Sequence, residues 1–269
     1  MGERTGIAWC HSTFNPVLGC TKLDSPSPAG SACASCYAAT LSVRYGRKDS
    51  AGRALWDPHA ERHVTSPAYW RAPHAWAASA AARGEPHRVF CGSMCDWADL
   101  RIPRQVHREL WDLIRATPAL TWLMLSKRVQ NIPKLLPPDW GEGWPHVWLG
   151  CTTENQLETD RRLALLTRIP ARVRFISGEP LLEQIDASRW LGRGGVGWVI
   201  CGGESAGAKA RPMRPAWARS LRDQCQAAGA AFFMKQTGSA RADWPGVTGK
   251  GDDIGQFPGD LQLQELPAA

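Results

Sequence analysis

Short apolar runs that end in small or polar residues recur along this chain, and longer amphipathic stretches separate them. The runs are rich in Val, Ile, Phe and Trp, which is typical of buried β-strands. The predicted strands lie at residues 14–18, 88–91, 121–125, 146–149, 173–176, 197–200 and 231–234. The chain therefore alternates between segments that suit strands and segments that suit helices.

The stretches between the runs carry helical periodicity. Residues 104–117 place their Val, Leu and Ile side chains along one helical face. Similar spacing predicts helices over residues 156–167 and 215–228, and Gly229 is the predicted stop of the second. Successive βα units favour parallel strands with right-handed crossovers. The predicted fold class is therefore α/β, a partial or complete (β/α) barrel of parallel strands, with a doubly wound open sheet as the alternative.

The predicted barrel spans residues 1–240. Within it, residues 44–88 mix Trp, Tyr, His and Arg with little periodicity, so we expect an insertion of helices and loops over the mouth of the barrel. This insertion is either a substrate lid or a plain structural elaboration. Residues 241–269 are predicted to be a C-terminal extension that adds a small pair of edge strands or caps the barrel.

Polar residues follow the predicted strands, at the ends where (β/α) barrels carry their active sites. The candidates at these ends are Ser93, Ser126, Lys127, Thr153, Glu154, Glu179, Lys235 and Gln236. Arg211, in the segment KARPMR, is a candidate contact for an anion. We predict that Glu179, Arg211, Lys235 and Gln236 bind substrate. For any single residue the alternative is helix capping or solvation in a loop.

Three cysteines share one loop rich in Gly, Ser and Pro: Cys20, Cys33 and Cys36, in GCTKLDSPSPAGSACASCYA. Three thiolates can hold three irons of a four-iron cluster and leave the fourth iron open. They can equally hold three corners of a zinc tetrahedron, with Cys10 or His11 as further ligands. Cys33 and Cys36 have the CxxC spacing of a zinc half-site, but the chain has no second CxxC. On spacing alone both metals stay open.

Composition limits the class of protein. The chain has no secretory core and no apolar run of about 18 residues, so we expect a cytoplasmic protein, without a membrane span, whose nine cysteines are reduced. A formal net charge of +7 permits a polyanionic partner such as nucleic acid. Six of the fourteen tryptophans are not obviously buried by the sequence pattern and could stack on bases. They are Trp9, Trp56, Trp70, Trp76, Trp97 and Trp244.

Several segments, in this order, resemble a phage-encoded family of radical S-adenosylmethionine type that is distantly similar to spore photoproduct lyase. They are FNPVLGCTK, CASCYA, FCGSMCDW, LSKRVQNIPKLLP, WLGCTTENQ, FISGEPLL, CGGES, ARPMRPAWARSLRDQCQAAG and FFMKQTG. The resemblance extends over residues 5–238, nearly the whole chain. The chain departs from the general CxxxCxxC loop, because 12 residues separate Cys20 from Cys33. We interpret SPSPAGSA as an insertion that bulges outward.

The resemblance implies a chemistry and a set of cofactor contacts. Cys20, Cys33 and Cys36 would bind a [4Fe–4S] cluster whose open iron chelates S-adenosylmethionine, and cleavage of that cofactor yields a 5′-deoxyadenosyl radical that removes a hydrogen from substrate. Ser93 would contact the methionine amino group. The candidates for the methionine carboxylate and the ribose are Ser126, Lys127, Thr153 and Glu154.

The resemblance also implies a substrate class and partners. The expected function is modification or isomerisation of a nucleobase, such as a hypermodified thymine in phage DNA, inside the host cytoplasm. The expected partners are DNA or a nucleotide and an external electron donor. Two alternatives stay open: a radical repair lyase for pyrimidine photoproducts, and a non-catalytic, zinc-stabilised nucleic-acid-binding protein.

Overall fold

A computed structural model describes residues 5–267. Seven parallel strands form one sheet, curled into a half-barrel, with the strand order β1-β4-β5-β6-β7-β8-β9. These strands are β1 Ser12–Phe14, β4 His87–Cys91, β5 Leu120–Ser126, β6 Val147–Thr152, β7 Val173–Gly178, β8 Trp198–Gly202 and β9 Ala231–Gln236. The predicted fold class, α/β with a partial barrel of parallel strands, is confirmed.

The first predicted strand is divided in two. Ser12–Phe14 lies in the main sheet, whereas β2 (Val17–Leu18) pairs antiparallel with β3 (His63–Val64) in a separate two-stranded sheet. Pro16 separates the two pieces and has no N–H to continue a ladder. The prediction of one strand over residues 14–18 was therefore wrong in its boundaries.

Strand β6 continues three residues beyond its predicted end, through Gly150. A Cβ atom at position 150 would lie 2.4 Å from the ring of Phe175. The glycine is needed for the close approach of that ring and not for a turn.

Residues 5–267 also form five α-helices. They are α1 Tyr37–Arg44, α2 Pro67–Arg83, α3 Arg104–Arg115, α4 Gln156–Leu166 and α5 Pro215–Ala228. Helix α4 begins at Asn155, whose side chain accepts a hydrogen bond from the amide of Glu158. Helix α5 ends as predicted at Gly229, which has a φ of +68°. Helix α2 and strand β3 supply the regular structure of the predicted insertion at residues 44–88.

The chain divides into two compact units. The first comprises the chain up to Lys22, Ala38–Leu149 and Pro170–Arg172, and the second comprises Leu23–Tyr37, Gly150–Ile169 and the chain from Val173 onward. Four of the tryptophans that we expected to be accessible for base stacking are buried. These are Trp9, Trp76, Trp97 and Trp244, and their exposed fractions do not exceed 5%. The expectation was wrong for these four because side chains distant in sequence cover them. The ring of Trp111, for example, packs against that of Trp97 with 5.8 Å between the ring centroids.

Residues 263–265 run along the outer edge of β9. The amide of Met234 donates to the carbonyl of Leu263 at 2.8 Å, and the amide of Glu265 donates to the carbonyl of Phe232 at 3.0 Å. The tail therefore adds one isolated antiparallel bridge at this edge. Within residues 5–267, no helix has both the length and the apolar character that a membrane crossing requires.

Candidate metal and cofactor site

In the first unit, Asn15 organises the turn that follows β4. Its Oδ1 accepts a hydrogen bond from the Met94 amide at 2.6 Å, and its Nδ2 donates to Ser93 Oγ at 2.9 Å. The turn passes through Gly92, which has a φ of +93°, a conformation that residues with a side chain rarely adopt. Ser93 is thus at a strand end, as predicted, with its hydroxyl oriented by a residue that the sequence analysis did not single out.

Asp96 fixes the residues that follow β5. Its buried carboxylate accepts hydrogen bonds from Ser126 Oγ at 2.6 Å, the Lys127 amide at 3.1 Å and Arg128 Nη1 at 2.9 Å. The predicted cofactor residues Ser126 and Lys127 therefore share one anchor. The Ser126 hydroxyl also accepts from the amide of Arg128 at 2.8 Å, so it shapes the backbone of this turn.

Two buried arginines hold the start of the cysteine loop. Arg128 Nη1 donates to Cys20 Sγ at 3.5 Å, and Nη2 donates to the Thr21 carbonyl at 2.7 Å. Arg62 donates to the Thr21 hydroxyl at 2.6 Å and pairs with Asp99 at 2.7 Å. The pKa of the Cys20 thiol is raised to about 11, chiefly by burial and also by the charge of Asp96, while Arg128 acts in the opposite direction. The first cysteine is thus a half-buried thiol with a cation beside its sulfur.

Cys33 and Cys36 belong to the second unit. Cys33 is buried, Cys36 is half-buried, and Cys36 directly precedes helix α1. Ser31 Oγ donates to the Leu23 carbonyl at 2.5 Å and accepts from the Cys33 amide at 3.0 Å, which closes this part of the loop on itself. All nine cysteines lie in the described part of the chain, and none of them forms a disulfide.

The SPSPAGSA segment is pinned by side chains of the second unit. Asn155 Nδ2 donates to the Gly30 carbonyl at 2.9 Å. Arg211 donates to the carbonyls of Ala29 at 3.2 Å and Ser31 at 3.1 Å, while its guanidinium also pairs with the buried Glu204. The segment that we expected to bulge outward is therefore tethered. Arg211, a predicted substrate contact, directs its N–H groups at the loop and at Glu204.

Glu154 and Arg162 form a buried ion pair after β6. Glu154 is fully buried and pairs with Arg162, which also reaches Glu158 at 3.0 Å. One Glu154 oxygen accepts from the amide of Ala32, in the cysteine loop, at 3.4 Å. The neighbouring Thr153 hydroxyl is buried and has no hydrogen-bond partner among residues 5–267. Of these two predicted cofactor residues, Thr153 keeps its polar group available to a ligand.

Three of the four predicted substrate residues converge in the second unit. Lys235 pairs with Glu179, and Gln236 Nε2 donates to Glu179 Oε1 at 2.7 Å and to Ser205 Oγ at 2.8 Å. The side chains of Glu179 and Lys235 are each 17% exposed, so the pair still reaches solvent. A carboxylate, an ammonium and an amide at the ends of β7 and β9 offer both donors and acceptors to a bound molecule.

A comparison with protein families matches most of the chain. The model of a family described as a protein of unknown function, DUF5131, matches residues 4–257. No curated protein and no solved structure matches the chain. Across residues 5–267, no group of three or more His, Cys, Asp and Glu side chains is already arranged around a metal position.

Proposed function

The chain belongs to the DUF5131 family, and we propose that it is a radical S-adenosylmethionine enzyme that modifies or isomerises a nucleobase of DNA. Cys20, Cys33 and Cys36 would hold a [4Fe–4S] cluster and leave one iron open. When bound, such a cluster supplies the electron that cleaves S-adenosylmethionine to a 5′-deoxyadenosyl radical. The observation that carries the proposal is a loop with three thiols outside any disulfide, pinned by the charged side chains of Arg128 and Arg211.

The residues present suit a sulfur-ligated metal. Thiolates are the ligands of iron–sulfur clusters and of zinc. Arg128 donates an N–H group to Cys20 Sγ, an interaction that strengthens when the sulfur carries negative charge. The loop between Cys20 and Cys36 lacks helix and strand, and binding of a metal to such a segment is coupled to the final folding of its ligands. The proposal therefore rests on the set of donors and on the anchoring of their loop.

The chain's own residues would position S-adenosylmethionine. Asn15 orients the hydroxyl of Ser93, and Asp96 fixes the backbone at Lys127, so both groups are held before a ligand arrives. The unpartnered Thr153 hydroxyl is an expected contact, because a buried hydroxyl normally has a hydrogen-bond partner. Glu154 is engaged by Arg162, so we assign it to holding the loop through the Ala32 amide.

The substrate would be held by Glu179, Lys235 and Gln236. A nucleobase edge carries donors and acceptors in fixed positions, and this trio offers both. The ion pair of Glu179 and Lys235 is largely buried, so it also suits a charged substituent on the base. We assign recognition of the base and its substituent to these three residues.

A basic tip, residues 43–48 with the sequence VRYGRK, supports a nucleic-acid partner. The side chains of Val43 and Tyr45 are 67% and 64% exposed, and three cations lie within these six residues. An exposed aromatic ring among cations can stack on a base while the cations contact phosphates. The triple variant Arg44→Ala, Arg47→Ala, Lys48→Ala should weaken DNA binding and reduce the slope of log affinity against log salt by up to about 3.

A charge-matched variant controls for the loss of net charge. Arg101, Arg104 and Arg108 are exposed at the start of α3, in the same unit. Their triple alanine variant should lower affinity by less and leave the salt slope closer to that of the wild type. Equal losses in both triple variants would show that the basic tip has no specific role in binding DNA.

Iron and sulfide analysis after anaerobic reconstitution tests the enzymatic proposal. We expect about four irons per chain in the wild type and severe loss in Cys33→Ala. Cys225→Ala is the matched control, because Cys225 is another buried cysteine of the second unit but lies on α5, outside the loop. Zinc without iron would favour the zinc-stabilised binding protein. A cluster that cleaves S-adenosylmethionine and restores pyrimidines in photoproduct-containing DNA would favour the repair lyase.

A further inference from the structure

Arg128 is built into the first unit as a fixed donor to sulfur. Its guanidinium is buried and bonds three groups at once: the Asp96 carboxylate at 2.9 Å, the Thr21 carbonyl at 2.7 Å and Cys20 Sγ at 3.5 Å. Because the planar guanidinium presents its N–H groups in a rigid fork, these contacts fix its orientation. The sulfur contact is therefore part of a defined geometry.

Asp96 is itself held from several sides. Ser126 Oγ and the Lys127 amide donate to it, and the Ala98 amide donates to Oδ1 at 3.1 Å. A buried carboxylate with this many donors keeps its position and balances the charge of Arg128. The pair places one N–H group on the cysteine sulfur without leaving an uncompensated charge in the interior.

The neighbouring pair of Arg62 and Asp99 provides a natural comparison. Arg62 is also buried and also contacts the start of the loop, but through the Thr21 hydroxyl, and the hydrogen bonds found for its guanidinium reach oxygen atoms. Both arginines therefore anchor the same turn of chain, whereas the bond to Cys20 Sγ comes from Arg128. The two can be compared by mutation within one protein.

We propose that the Asp96–Arg128 pair positions Cys20 as a cluster ligand and raises the reduction potential of the cluster through the N–H group on its sulfur. This inference rests on the proposed function. Reduction adds negative charge that is shared by the cluster and its sulfur ligands, so a hydrogen-bond donor at a ligand sulfur stabilises the reduced form. Arg128 is a positioning residue in this account, because it acts through Cys20.

The test is a redox titration, followed by electron paramagnetic resonance, of the anaerobically reconstituted protein. Arg128→Met should shift the midpoint potential of the cluster to more negative values and lower the iron retained per chain. Arg128→Lys should give an intermediate potential, because an ammonium keeps the charge but cannot repeat the three-way contact of the guanidinium. Arg62→Met should keep the wild-type potential.

The outcomes separate the inference from the proposed function. A wild-type protein that takes up no cluster refutes the proposed function. A wild-type cluster whose potential is unchanged in Arg128→Met and Arg128→Lys overturns the inference alone. If Arg128→Met does not fold, as judged by circular dichroism, Arg128→Lys decides: a wild-type potential in that variant overturns the inference, and a lower one supports it. A shift of equal size in Arg62→Met would also overturn it.

Discussion

The buried ion pair of Glu154 and Arg162 allows a stability prediction with a built-in control. The side chain of Arg162 is 7% exposed, and those of its partners Glu154 and Glu158 are 0% and 6% exposed. Arg162 also donates to the Thr152 carbonyl at 2.8 Å. Replacement of Arg162 by Met keeps an apolar stem but leaves two buried carboxylates without their shared cation.

The expected cost of Arg162→Met is about 3–5 kcal/mol, the range for removing one partner of a buried pair. For a chain of this size that corresponds to a fall of roughly 6–20 °C in the melting temperature. Arg161→Met is the control, because Arg161 is adjacent on the same helix and also pairs with Glu158, at 3.1 Å, but its side chain is 61% exposed. Its loss should cost about 0–1 kcal/mol.

Urea and thermal unfolding, followed by circular dichroism, measure both variants. The double variant Glu154→Gln, Arg162→Met should be more stable than Arg162→Met alone, because one uncompensated charge is gone. Equal losses of stability in Arg161→Met and Arg162→Met would refute the reasoning.

Two further predictions concern a glycine and a tyrosine. Gly203→Ala should destabilise the chain by about 1–3 kcal/mol in urea unfolding, because its Cβ would lie 2.1 Å from the Thr237 carbonyl oxygen. Gly259→Ala should be near neutral, because no atom lies within 4 Å of a Cβ at that position. Equal effects of the two substitutions would contradict this account. Burial raises the pKa of Tyr69 from 10.0 to about 12, so its protonated form stabilises the fold below pH 10 and that contribution is lost as the pH rises toward 12. Between pH 10 and pH 12 the free energy of unfolding should therefore decrease more steeply with pH for the wild type than for Tyr69→Phe. Parallel curves for the two proteins would contradict this assignment.

Regular structure followed from local sequence patterns. The periodicity of residues 104–117, 156–167 and 215–228 predicted α3, α4 and α5 to within two residues at each end, because an amphipathic face and a stop signal are local properties. Strand boundaries were less accurate. The strand predicted at residues 146–149 continues to Thr152 through Gly150, which admits the ring of Phe175, a contact that depends on the next strand.

The candidate site was only partly visible in the sequence. The expectation that active-site residues follow the ends of parallel strands identified Ser93, Lys127 and Thr153 as candidates, because such strands end at one edge of their sheet. It could not show that Arg128 contacts Cys20, since the two lie 108 positions apart in the sequence and no pattern links them. The roles of Asn15 and Arg211 were hidden for the same reason. Side chains that support a site are defined by tertiary contacts, which spacing does not encode.

The short bridge of residues 263–265 on β9 has a consequence for solubility. A half-open sheet has a terminal strand whose N–H and C=O groups can template the strand of another molecule. Hydrogen bonds from Met234 to Leu263 and from Glu265 to Phe232 already occupy part of that border. Without residues 263–265, this edge of the sheet would be open to pairing with another molecule. A chain that lacks these residues should therefore precipitate even if its fold survives.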